Sequence, residues 1–178
     1  MERRELFKVL AATTVTPASA QHVHGRKKAS IAAYKPRYFT SAEYELLDRL
    51  CETILPADAE SGGARDAGVP VYIDTIAFYA DSRTKESWRS GLASVDRLTE
   101  QRFERSFSNL ENGEREQMVA ALLENERSPK NEAERLATRL KSAVIDAWGV
   151  SDVGMKYFRY KGNGATLTFP GCTHDAHK

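Results

Sequence analysis

Apolar residues recur at helical spacing in five stretches of this chain, and most of these stretches carry recognisable start and stop signals. The first opens at Thr40-Ser41-Ala42-Glu43, a capping box in which the Thr40 hydroxyl takes an orphan amide while Glu43 reaches back to the Thr40 N–H. Phe39 and Tyr44 occupy the positions of a hydrophobic staple, and Leu47, Leu50, Cys51 and Ile54 continue one apolar stripe until Pro56 stops the helix. A turn through Asp66-Ala67-Gly68-Val69 leads to Pro70, suited to a first helical position. Val71, Ile73, Ile76, Ala77 and Ala80 follow as the second stripe.

A third helix is predicted from about Thr84 to near Arg105, with Trp88, Leu92, Val95 and Leu98 on its apolar side and Trp88 as a core anchor. A fourth starts at Asn112 or Gly113, carries Met118, Val119, Ala121 and Leu122, and runs out near Asn125. The fifth opens with Ser128 as N-cap followed by Pro129. It carries Leu136, Leu140, Val144, Ile145 and Trp148, and is expected to end at Gly149 in a left-handed C-cap.

No strand-like alternation precedes residue 155, so the expected fold is all-α: a small irregular bundle of about five helices within residues 37–150. Residues 151–178 change character to an extended, aromatic- and Gly-rich C-terminal tail. By itself this tail cannot bury Tyr157, Phe158, Tyr160 and Phe169, which must fold back on the bundle or cover another protein.

The other end of the chain adds a targeting pattern. Residues 1–20 place Arg3-Arg4 beside Leu6-Phe7-Lys8, then a modestly apolar stretch, then Ala18-Ser19-Ala20 as a small-residue cleavage site. This looks like a twin-arginine (Tat) signal, in which Leu6-Phe7 inverts the usual order. Residues 21–36 are basic, poor in large apolar residues and aperiodic, as in a flexible linker or arm. Removing the leader takes away three basic and two acidic residues and leaves 23 of each, so the remaining chain is neutral. The twin-arginine route moves folded proteins, so a chain with such a leader and no visible cofactor motif points to export together with a partner.

With 26 basic and 25 acidic residues interspersed over 178, the chain has no electrostatic footprint for nucleic acid or an anionic membrane. No run approaches the roughly 20 apolar residues of a membrane-spanning helix. A nucleophile with its base, a phosphate-cradling glycine loop, a paired-cysteine metal site and a dinucleotide fingerprint are all missing at usable spacing, and Gly62-Gly63 reads as a flexible turn. All four histidines, His22, His24, His174 and His177, lie in the two tails, which argues against histidine acid–base catalysis.

Cys172, His174 and His177 could hold zinc or copper if another ligand arrived from elsewhere. The competing reading of Cys172 is a disulfide to a partner, since one cysteine left over in an exported protein invites intermolecular pairing. Cys51, on the apolar stripe, reads as a small hydrophobe.

The passage from Phe39-Thr40 through Ile54-Leu55-Pro56 and Asp66-Ala67-Gly68-Val69 to Asp74, closed by Phe169-Pro170-Gly171, resembles the gluconate 2-dehydrogenase subunit 3 family over roughly residues 38–172. The resemblance implies a non-catalytic small subunit of a periplasmic flavin-dependent sugar or alcohol dehydrogenase complex. The large subunit, of the glucose-methanol-choline type, would hold FAD, and a cytochrome c subunit would take the electrons. The small subunit would bind no cofactor itself and would assist folding, stability and Tat export of its partner. On this reading Tyr157, Phe158, Tyr160, Phe169 and Cys172 form the expected partner interface. The alternative is a stand-alone periplasmic binding or metal-handling protein using Cys172, His174 and His177, and a stand-alone enzyme ranks behind both.

Overall fold

The structure, a computed structural model, describes residues 34–162, and among them are six α-helices and no strand. They are α1 (Ser41–Ile54), α2 (Val69–Tyr79), α3 (Ser82–Phe103), α4 (Asn112–Leu123), α5 (Glu132–Gly149) and α6 (Asp152–Tyr157), with a 3₁₀ turn at Phe107–Asn109. None of these helices is long and apolar enough to cross a membrane. The all-α bundle expected from the periodicity is the one formed, with one short helix more than expected.

Helix α1 begins where its capping box requires. Thr40 Oγ1 accepts from the Glu43 amide at 3.2 Å and Glu43 Oε2 accepts from the Thr40 amide at 2.8 Å. Its stripe buries Leu47, Leu50 and Cys51, and Ile54 is half-buried. Cys51 is fully enclosed; burial, and then the neighbouring Asp48 and Glu52, push its thiol well up, so it behaves as the small hydrophobe its position suggests.

Helix α5 is the centre of the bundle and packs against every other helix. Leu136, Leu140 and Val144 are buried along it, and burying each side chain of this kind contributes about 2 kcal/mol. Its crossing with α3 is close because α3 carries Gly91 there: a Cβ at Gly91 would lie 2.8 Å from Leu136 Cβ. Trp88, also on α3, is buried beneath the Arg139 guanidinium, which sits 3.8 Å from the ring centroid and bonds Ser87 through both terminal nitrogens.

Several boundaries and faces differ from the expectation. The cap of α5 is Asn131, not Ser128: the Asn131 side chain accepts from the Glu134 amide, and Glu134 in turn accepts from the Asn131 side chain and the Lys130 amide. Ser128 instead closes a turn onto the Asn125 carbonyl. Gly149 is the last residue of α5 and has no left-handed conformation, because the chain passes through Val150 and Ser151 straight into α6. Ile76 and Ile145, assigned to apolar stripes, are 38% and 52% exposed. On α2 the inward face is Val69, Ile73 and Ala77, and on α5 Val144 takes the inward position beside Ile145.

The buried acid on α2, Asp74, ties the entry of the chain to the bundle. It has no exposed surface and accepts four hydrogen bonds: from the Tyr34 hydroxyl at 2.6 Å and from the amides of Arg37, Tyr38 and Phe39 at 2.7, 3.0 and 3.0 Å. Burial alone would push its pKa up; the Tyr34 hydroxyl and the amides of Arg37, Phe39 and Tyr38 outweigh it and hold the carboxyl below its ordinary value. A depressed folded-state pKa means that the stability from Asp74 is present above the ordinary carboxylate pKa of about 4 and is lost as pH falls through the lower folded value. Asp74→Asn puts an amide N–H₂ among donors, so denaturant unfolding followed by circular dichroism is expected to give a loss of about 3 kcal/mol at neutral pH. The variant should also lose part of the fall in stability that the parent shows below about pH 4; equal acid sensitivity in both would rule out this role for Asp74.

Candidate partner interface

The aromatic residues that follow α5 are arranged around Trp148. This side chain is 8% exposed, and its indole N–H donates to the Gly62 carbonyl at 2.9 Å, so the turn that reads as flexible in sequence is bound to the end of α5. The same turn is held from α1: Glu52 accepts from the Arg65 amide at 2.9 Å, and the Arg65 side chain grips Asp48 through Nε and a terminal nitrogen. Trp148 therefore faces a fixed wall on one side.

On its other side lies α6. Ser151 caps this helix, its hydroxyl accepting from the Gly154 amide at 3.1 Å and donating to the Trp148 carbonyl at 2.6 Å. Gly154 is required by the packing: a Cβ there would stand 2.2 Å from the Trp148 carbonyl oxygen. Helix α6 ends in a Schellman motif, with the Tyr160 amide bonded to the Met155 carbonyl and the Arg159 amide to the Lys156 carbonyl. The left-handed position is filled by Arg159 at φ 52°, where glycine is the usual choice.

This geometry brings Tyr157 and Phe158 edge-on to Trp148, with ring centroids 5.5 and 5.8 Å away, and 5.4 Å from each other. Their remaining surface is open: Tyr157 is 46% and Phe158 62% exposed, and Tyr160, Val150 and Met155 are exposed in the same stretch. Lys156, Arg159 and Lys161 are exposed among them. The result is an aromatic surface interleaved with cations, suited to a protein surface that is apolar with acidic residues around it.

Of the residues expected at a partner interface, Tyr157, Phe158 and Tyr160 thus fall on one exposed stretch, partly folded onto the bundle and partly open. Phe169 and Cys172 lie outside the described residues, as do the metal candidates His174 and His177, the histidines His22 and His24, and Arg3 and Arg4 of the expected leader. The segment expected to be extended from residue 151 is helical over Asp152–Tyr157; the Ser151 cap and Gly154 are the sequence signals for that helix. Sequence periodicity placed Trp148 on the core face but carried no sign of its partners: Gly62, 86 positions away, and Tyr157 and Phe158, brought back by the α6 turn.

Elsewhere the described residues offer little chemistry. No group of three or more His, Cys, Asp or Glu among them is placed to hold a metal. A cleft of about 370 Å³ between α1, α3 and the 3₁₀ turn is lined by Glu43, Arg89 and Asp96, but these groups serve the fold. Arg89 pairs with Glu43 at 3.4 Å, and Asp96 accepts from the Phe107 amide at 2.9 Å.

A family model described as gluconate 2-dehydrogenase subunit 3 matches residues 41–166, from the first residue of α1 onward. No curated protein and no solved structure matches the chain.

Gly154→Ala tests how the aromatic surface is held. The substitution is expected to detach α6 and raise amide hydrogen exchange across residues 152–160 while protection in α1, α3 and α5 persists; unchanged exchange there would show that Gly154 does not set the packing. Trp148→Phe keeps a ring for Tyr157 and Phe158 but leaves the Gly62 carbonyl without its donor, at an expected cost of about 1 kcal/mol in denaturant unfolding.

Proposed function

The chain belongs to the gluconate 2-dehydrogenase subunit 3 family, and we propose that within it the chain is the non-catalytic small subunit of a periplasmic flavin-dependent dehydrogenase complex. A third subunit implies partner subunits. In this reading a large subunit of the glucose-methanol-choline type carries FAD and oxidises a sugar or an alcohol, and a cytochrome c subunit accepts the electrons. The small subunit stabilises the large one and travels with it through the Tat route under the leader at Arg3-Arg4, since that route accepts folded proteins.

The observation that carries the proposal is the family match across the whole helical body, residues 41–166. Two features of the chain support it. The cleft and the buried charges are used up by the fold's own hydrogen bonds and ion pairs, so the most distinctive exposed feature is a surface and not a pocket. That surface, at Tyr157, Phe158 and Tyr160 with Met155 and Arg159 beside them, has the aromatic, methionine and arginine content that protein interfaces favour. FAD and the chemistry belong to the partner in this assignment. The chain's contribution is binding energy and a folded template.

The test is affinity purification of the tagged full chain from its native cell envelope, with visible absorbance recorded on the eluate. A large polypeptide with oxidised-flavin bands is expected to elute with it. The double variant Tyr157→Ser, Phe158→Ser should lower its recovery roughly tenfold while helix content by circular dichroism is kept. A chain that elutes folded, alone and colourless would sink the accessory-subunit reading.

A further inference from the structure

We infer that the outward face of α2, formed by Tyr72, Ile76 and Tyr79 with Phe78 beside them, is a second docking surface for that same partner subunit. The inference rests on the accessory-subunit reading and adds a contact site to it. Tyr72, Ile76 and Tyr79 follow one another at the i, i+4, i+7 positions of a single helix face and are 50%, 38% and 73% exposed; Phe78 is 42% exposed.

Three observations point the same way. First, Val69–Tyr79 contains one ionisable carboxylate, Asp74, and it is buried and fully used, so the outward face of α2 carries no charge. A surface helix ordinarily turns charged residues to water, as α3 does with Arg83, Glu86 and Arg97, and a helix that is apolar all round belongs in an interior; a cation of α3, Lys85, lies over the Phe78 ring at the edge of this face. Secondly, every large exposed hydrophobic side chain among the described residues lies either on α2 or between Ile145 and Tyr160; α1, α3 and α4 expose none. Thirdly, a stable subunit interface takes about 800 Å² from each side, some 20–30 residues. The stretch from Ile145 to Tyr160 has 16 residues, fewer than that, and among the described residues α2 holds the large exposed apolar side chains that remain. At 11 residues, about 16 Å long, α2 is far too short to span a bilayer. Its tyrosines present apolar rings with a polar tip, the combination enriched at protein interfaces.

The experiment places a photo-crosslinking residue at single exposed positions of the tagged full chain in its native cells: Tyr79→p-benzoylphenylalanine on α2, Tyr157→p-benzoylphenylalanine on α6, and Glu116→p-benzoylphenylalanine on α4 as a control. Illumination is followed by purification and mass spectrometry of the adducts. The expected result is one and the same flavin-bearing polypeptide attached from positions 79 and 157 and not from 116. With it, the double variant Tyr72→Ser, Tyr79→Ser should keep its helix content and recover roughly tenfold less of that polypeptide. If position 79 attaches only to another copy of this chain, to lipid or to nothing while position 157 reaches the flavin-bearing subunit, the α2 surface is overturned and the accessory role stands. If neither position reaches a second kind of subunit, both are overturned.

Discussion

A carboxylate without solvent exposure stays ionised only where donors surround it, and in this bundle that requirement falls on Asp74. Its four donors come from Tyr34 and from the three consecutive amides of Arg37, Tyr38 and Phe39, so the chain must lie across α2 before it can turn into α1. Phe39 is thereby delivered edge-on to Trp88 on α3, and Thr40 arrives where it can cap α1. Tyr38 is fixed at the same time, its hydroxyl bonded to the Lys85 carbonyl and its ring under Arg89. One buried charge thus joins α1, α2 and α3 and sets where the first helix starts.

Helix α5 performs the complementary task of carrying that order outward. It touches every other helix, and at its C-terminal end Trp148 spends one edge on the Gly62 carbonyl and another on Tyr157 and Phe158. The turn between α1 and α2, pinned by Asp48 and Glu52 through Arg65, and the short helix α6 are therefore braced by one indole. A surface braced in this way loses little conformational entropy on binding, which is the physical advantage of presenting aromatic anchors from a rigid base.

The distribution of apolar surface connects this architecture with a subunit's role. Charged side chains cover α3, and the buried polar groups of the bundle are largely consumed by caps, clamps and ion pairs. Exposed aromatics remain on the outer side of α2 and around α6. A family defined as one subunit among several accounts for a small helical protein of this kind, whose large exposed apolar side chains, among the described residues, are gathered in two places.

Local rules were enough for much of this. The capping box at Thr40, the stop before Pro56, the stripes of Leu47, Leu50 and Cys51 and of Trp88, Leu92 and Val95, and the all-helical class follow from spacing and turn chemistry over a few residues. The aromatic cluster at Tyr157, Phe158 and Tyr160 was also legible, because such side chains without helical spacing have nowhere to hide in a short tail. Periodicity erred at Ile76 and Ile145, which lie at the margins of their stripes, where only the position of a neighbouring helix decides which side chain faces in. It erred at Ser128 and Gly149 because competing caps lay within three residues, and the Asn131–Glu134 pair and the Ser151 turn make more hydrogen bonds. The sequence by itself determined the helices, their class and the family. Tertiary structure alone decided that Asp74 is a clamp, that Trp148 ties the Gly62 turn to α6 and that α2 keeps an apolar face outward: the Asp74 and Gly62 bonds join residues 35 to 86 positions apart, and the facing of α2 depends on where α5 lies, none of which a local pattern encodes.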